Sequence, residues 1–284
     1  MKLCRFQFEN FAPRAGLLAD NNVLDLAAAG IAKLSDVLES RDPARLLADA
    51  AKHKLPHHDP TRVKLLAPVE QQEVWAAGVT YMRSKKARME ESEFSASAYD
   101  RVYDAPRPEL FFKSMPEKVV GHGDAVGIRK DATWNVPEPE LALVFNSRGE
   151  LVGFTAGNDM SSRDIEGENL LYLPQAKTYS RSCALGPCIT VGAFEAEARC
   201  WSIALEIARA GQTVFRGETS VSQIKRTFSE LADYLFRSQQ FPHGVVLLTG
   251  TGVVPADDFT LQPGDVVRIQ ISGIGTLENP VAVV

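Results

Sequence analysis

The sequence predicts a β-rich α+β chain, and three observations lead there. Short runs of alternating or continuous apolar residues, bounded by Gly, Pro, Asn and Asp, recur from Leu65 onward. Segments with helical apolar spacing are few and cluster before residue 52 and after residue 223. A content of 45% hydrophobic residues over 284 residues is enough to bury a sizeable core and argues against disorder. The expected division is a small N-terminal α+β unit over residues 1–64 and a larger β-rich unit over 65–284.

In chain order, Lys2 to Phe8 alternates as a strand, and the turn signal Ala19-Asp20-Asn21-Asn22 joins two further runs into a small antiparallel sheet. Helical spacing follows in Ile31 to Leu38 and Ala44 to Ala51, with Asp42-Pro43 suited to opening the second helix. His53, His57 and His58 then fall in a Pro-bounded polar stretch. With no acidic or Cys partner at ligand spacing, they read as a solvated linker and not as a metal site.

Leu65 to Val69 and Val74 to Ala77 read as strands. They lead into a segment from Met82 to Tyr103 rich in Arg, Lys, Glu, Ser and Ala, expected as a charged helix or a mobile cover over a site. Glu109-Leu-Phe-Phe-Lys113 places Glu109, Phe111 and Lys113 on one face of a strand. That pattern fits a site strand and a solvated ion pair equally well. His122, between two glycines, reads as a turn residue.

The stretch from Trp134 to Pro187 carries the chemistry. If Val136 to Phe145 is extended, Glu138 and Glu140 share a face with Cα atoms about 6.5 Å apart. The apolar run Leu141 to Phe145 places them where a strand enters a core, so their repulsion is poorly screened and a hard cation is the natural neutraliser. Carboxylate oxygens select Mg, Mn or Ca over Zn. Two solvated glutamates on an edge strand blocked by Pro139 are the plainer alternative. Leu151 to Ala156, following the turn Asn146-Ser-Arg-Gly149, returns Asp159 beside them. In Ser161-Ser162-Arg163-Asp164 the helix cap falls to Ser161, which leaves Asp159 facing the glutamates.

Further on, Trp201 to Ala208 and Thr213 to Phe215 form a hairpin, and Ile224 to Phe236 an amphipathic helix capped by Ser222. Val245 to Leu248 is a buried strand ending in Thr249-Gly250-Thr251-Gly252, where glycines admit a ligand to the backbone and Thr251 can hydrogen-bond a carboxylate. No helix follows this Gly-x-Gly, which argues against a dinucleotide site. Val266 to Ile271 completes the sheet.

These residues in this order, Glu-x-Glu-Leu, Asn-Asp-x-Ser-x-Arg-Asp, Lys177, Leu185-Gly-Pro187 and Thr249-Gly-Thr-Gly252, resemble the fumarylacetoacetate hydrolase superfamily from about Leu66 to Val281. Val102-Tyr-Asp-Ala-Pro-Arg-Pro-Glu109, Val120-Gly-His-Gly123, Pro137-Glu-Pro-Glu140 and Glu166-Gly-Glu-Asn-Leu-Leu-Tyr-Leu-Pro-Gln175 narrow it to the 2-keto-3-deoxy-D-arabinonate dehydratase branch. The resemblance implies a mixed β-roll or sandwich, a homodimer, Mg held by Glu138, Glu140 and Asp159, and a 2-keto acid substrate. Lys177 and Glu109 would act on that substrate, in a pocket shaped by Tyr81, Phe111, Lys113 and Thr251. Hydrolases of the superfamily carry a catalytic His where this chain reads Thr80-Tyr81-Met82-Arg83, with no His as far as Glu109. That departure counts against carbon–carbon hydrolysis of 2,4-diketo acids, while a sheltered metal beside both an acid and a lysine counts against simple keto-acid binding.

Composition narrows the partners further. A net charge of −5 without a basic, aromatic-interleaved face argues against nucleic acid. The absence of a long apolar run argues against a membrane and leads to the expectation of a soluble, cytoplasmic protein. Cys4, Cys183, Cys188 and Cys200 lack metal or redox spacing and are expected to be reduced, buried small hydrophobes.

Overall fold

A computed structural model describes residues 1–19, 22–82 and 101–284. The cover expected between Met82 and Tyr103 lies for the most part outside the described residues.

The strands that carry the acidic stretch are buried on both faces. In β10 (Pro139–Phe145), Leu141, Leu143 and Phe145 enter one apolar core while Ala142 and Val144 enter another. Its neighbour β16 (Val245–Leu248) divides in the same way, with Val245 and Leu247 on one side and Val246 and Leu248 on the other. A strand covered on both faces has no solvent side to fill with polar residues, which is why these segments read as continuous apolar runs.

The sheet built on them has eleven strands among the described residues. Its path runs through β4 (His57–His58), β3 (Asn22–Asp25), β2 (Arg14–Ala19), β1 (Lys2–Phe8), β13 (Cys183–Val191), β11 (Leu151–Asp159), β10, β16, β6 (Glu73–Gly78) and β7 (Glu109–Ser114), with β5 (Val63–Leu66) paired to β1. One core lies between this sheet and a smaller one formed by β15 (Gln212–Ser220), β14 (Ser202–Arg209), β17 (Val266–Ile271), β18 (Gly275–Val283) and β8 (Val126–Ile128). The other core is covered by Leu34, Val37, Leu38 and Leu47 of the N-terminal helices. The N-terminal strands therefore extend the main sheet through the pairing of β1 with β13, and the expected boundary at 64/65 falls within β5.

Several local expectations change. The histidine stretch is solvated only in part: His53 and His57 are exposed as expected, whereas His58 pairs with Val23 of β3 and its ring packs 4.6 Å from that of Phe8, because a strand partner and two phenylalanines cover it. The helix expected from Ile224 begins at Phe228, capped by Thr227 and not Ser222, because Ile224 is held in a bridge to Tyr81. The strand expected from Val136 is interrupted before Pro139, since two prolines in Pro137-Glu138-Pro139 remove ladder donors. Cys200 is exposed, whereas the other three cysteines are buried and all four are free. No helix among the described residues is long and apolar enough to cross a membrane.

Candidate metal centre and active site

The three acids expected to converge do so. Asp159 is the last residue of β11, and its N–H donates to the Glu138 carbonyl at 2.9 Å, which locks the two chain segments side by side. One oxygen from each of Glu138, Glu140 and Asp159 lies within 4.8 Å of the others, and each residue is 2% exposed or less. Burial, then the charges of Asp159 and Glu138, push the Glu140 carboxyl well above its ordinary value, although Lys177 and the Gly250 N–H, donating to Oε2 at 2.6 Å, pull the other way. A crowded, dry carboxylate set of this kind fits a hard divalent cation, whose charge relieves the repulsion that burial magnifies.

Lys177, at the end of the helix Leu173–Lys177, is 1% exposed. Its Nζ donates to Glu138 Oε2 at 2.9 Å, Asp159 Oδ2 at 3.1 Å and Ser161 Oγ at 2.5 Å. Ser161 is thus a partner of Lys177 and not a helix cap. It lies in the short strand β12 (Ser161–Ser162), and the following helix starts at Arg163 because Ser162 is tied to Asn135. Phe111 stands 5.9 Å below the Lys177 ammonium. Phe111, Thr251, Lys177 and the three acids line one cavity.

Glu109, Tyr81 and Lys113 are placed differently. The Glu109 carboxyl lies across β6 against Gly78, where any Cβ would sit 2.0 Å from Oε2. Gly78 lines the cavity and Glu109 lines an adjoining one with Glu166 and Leu170, so the carboxyl stands at the partition between the two. The Tyr81 ring is packed behind the cavity wall against Gly252, and burial raises its hydroxyl pKa. Lys113 is fully buried, paired with Asp159 Oδ1 at 2.5 Å, and so backs the metal site instead of facing a substrate. The Thr251 hydroxyl lies 3.0 Å from the Val253 carbonyl, to which it donates.

Sequence reasoning missed Arg163, whose Nη2 donates to Glu138 Oε1 at 2.7 Å from within the cavity wall. It stands inside the Asn-Asp-x-Ser-x-Arg-Asp motif, which was the available signal. Burial pushes the Cys183 and Cys188 thiols up to about 12, in keeping with buried small hydrophobes. His122 is a turn residue whose Nδ1 accepts from the Glu278 N–H.

Residues 73–282 match the model of the fumarylacetoacetate hydrolase C-terminal family. The chain belongs to that family. It is 49% identical over 217 residues to a probable 2-keto-3-deoxyxylonate dehydratase of Haloferax volcanii, covering 76% of this chain and 74% of that one. It is 41% identical over 222 residues to the 2-dehydro-3-deoxy-D-arabinonate dehydratase of Saccharolobus solfataricus, covering 77% and 74%. A solved 2-keto-3-deoxy-D-arabinonate dehydratase in complex with magnesium and 2,5-dioxopentanoate superposes with a TM-score of 0.84 at 33% identity, over 100% of this chain and 99% of that one.

Proposed function

We propose that this protein is a Mg-dependent hydro-lyase that converts 2-keto-3-deoxy-D-arabinonate, the 2-keto acid derived equally from D-xylonate, to 2,5-dioxopentanoate in pentose catabolism. The observation that carries the reading is the buried triad Glu138, Glu140 and Asp159 with Lys177 Nζ in hydrogen-bonding reach of two of its members. The named dehydratases at 41% and 49% identity support it.

Glu138, Glu140 and Asp159 would hold the ion. Held there, such an ion would supply Lewis-acid polarisation of the 2-keto group of the acid, drawing charge from C2 and making the C3 protons more acidic. Dehydration then needs two proton movements, one away from C3 and one onto the departing C4 hydroxyl. Lys177 and Glu109 are assigned to these movements, Lys177 from within the cavity and Glu109 from its partition. Arg163 and Ser161 orient the pair by holding Glu138 and Lys177. Phe111 and the backbone of Gly250 and Gly252 shape the walls and exclude water. The proposal includes a cytoplasmic homodimer, which sedimentation of the purified protein checks.

Incubation with Mg and a panel of 2-keto-3-deoxy and 2,4-diketo acids, read by mass, tests the reading: loss of water is expected, and gain of water would replace it with carbon–carbon hydrolysis. Lys177→Ala and Glu109→Gln should each lower turnover by about 10²-fold or more while calorimetry still shows the metal bound. Substrate deuterated at C3 should lose label to solvent during turnover, and product retaining both deuterons would exclude proton abstraction.

A further inference from the structure

We propose that Lys113 is a positioning residue that ties the metal site to the Lys177 main chain. Its side chain is fully buried. Its ammonium forms an ion pair with Asp159 Oδ1 at 2.5 Å, outside hydrogen-bond geometry, and donates to the Met160 carbonyl at 3.0 Å and to the carbonyl of Lys177 itself. The last contact matters most for geometry. Lys177 ends a helix of five residues, too short to hold its own end, and its carbonyl is one of the groups that a helix leaves without an internal partner. Lys113 reaches from β7, the last strand in the order of the larger sheet, and fixes that end.

The same ammonium divides the labour of the Asp159 carboxylate. Oδ1 is taken by Lys113 and Oδ2 by Lys177, so the two lysines bracket one metal-ligating group from opposite sides. Together with Arg163 they set three positive charges against Glu138, Glu140 and Asp159. Asp159 does not depend on Lys113 for its place, because its backbone is held in the ladder between β11 and β13. Removing the Lys113 charge should therefore leave the ligand in position, remove a cation competing with the metal, and release the end of the Lys177 helix.

The consequence is a split of opposite sign. Lys113→Met should bind Mn, titrated calorimetrically, at least as tightly as the parent and up to several-fold tighter. Its kcat should fall about tenfold or more with KM within about threefold, because a displacement of the Lys177 amine strikes the chemical step. Lys113→Gln, which removes the charge but keeps a donor, should match Lys113→Met in Mn affinity and recover part of the lost kcat. The kcat arm rests on the dehydratase reading, while the Mn arm does not. If the parent turned over a different 2-keto acid, that reading would fail and the split would be measured on the acid consumed. Mn affinity falling in step with kcat in both variants, an unchanged kcat in Lys113→Met, or loss of folding in both would each overturn the proposal.

Discussion

Two strings of alternating acids and bases run through this molecule, and they differ in little except their surroundings. On the smaller sheet, Arg216, Glu206, Arg268 and Glu278 stand directly opposite one another on four neighbouring strands and pair in sequence. At the end of the larger sheet, Lys113, Asp159, Lys177, Glu138 and Arg163 pair in the same alternating way. The first string has side chains 25–73% exposed, and the second 0–5%. Water screens the ladder and leaves it little net energy. The buried string has lost several kcal/mol of hydration per ion, by order of magnitude, and recovers it only while every member keeps its partner. A fold gains nothing in stability by burying acids this way. The buried string therefore points to use, and the ladder to register and solubility.

The largest break in that contrast should come from Glu140→Gln. Glu140 is the triad member whose carboxyl burial and two neighbouring charges disfavour as an anion. Without metal, the neutral amide should relieve that repulsion and give a melting temperature equal to or above the parent's. With Mg, the parent should gain stability by mass action and the variant should not, with metal affinity and turnover down by at least about 10²-fold. Thermal melts with and without Mg check both signs. A variant less stable than the parent in the absence of metal would show that the anion is already compensated by the protein.

What could be read in the sequence follows the same division by distance along the chain. Glu140 stands in β10 and Glu138 in the proline-flanked link just before it, and a hairpin returns Asp159, whose N–H meets the Glu138 carbonyl, so the triad needed only local geometry. Alternation also put Glu109, Phe111 and Lys113 on one face, yet it says nothing about depth. Phe111 reaches the cavity, while Lys113 passes behind it and Glu109 stops at its partition. Tyr81 was hidden for a related reason, since its place behind the wall depends on Gly252, far away in sequence. The fusion of the N-terminal strands to the main sheet rests on β1 meeting β13, a pairing with no local signal at either end.

Gly78 sharpens the comparison from within the buried region. It has no side chain to contribute, and its cross-strand partner is Glu109. Alanine in the interior of a strand is ordinarily harmless or mildly stabilising relative to glycine. Here a methyl group would meet the Glu109 carboxylate at a separation no real contact allows. Gly78→Ala should therefore keep its metal affinity within about twofold while turnover falls by about tenfold. In a Glu109→Gln background the same substitution should add much less than it does alone, because both changes act on one group. Full additivity in the double-mutant cycle would place the effect of Gly78 elsewhere in the cavity.

The smallest effect belongs to the ladder. Arg268 pairs with both Glu206 and Glu278, and the hydrogen bonds to those two carboxylates raise its already high pKa. Those bonds look as good on paper as any in the buried string. Because the Arg268 side chain is 40% exposed, water replaces them at little cost when it is truncated. Arg268→Ala should shift the melting temperature by less than about 2 °C and leave Mg affinity and turnover untouched. What the ladder does contribute should depend on pH in a defined direction. Hydrogen bonds from Arg216 and Arg268 hold the Glu206 carboxyl below its ordinary value of 4.5, so its pairing is complete above that value and fades as pH falls through the lowered one. The small difference between parent and Arg268→Ala should accordingly shrink on acidification and in high salt. A difference that persisted in both conditions would mean that the arginine acts through its packed methylenes, and that the exposed string, too, is held by something other than charge.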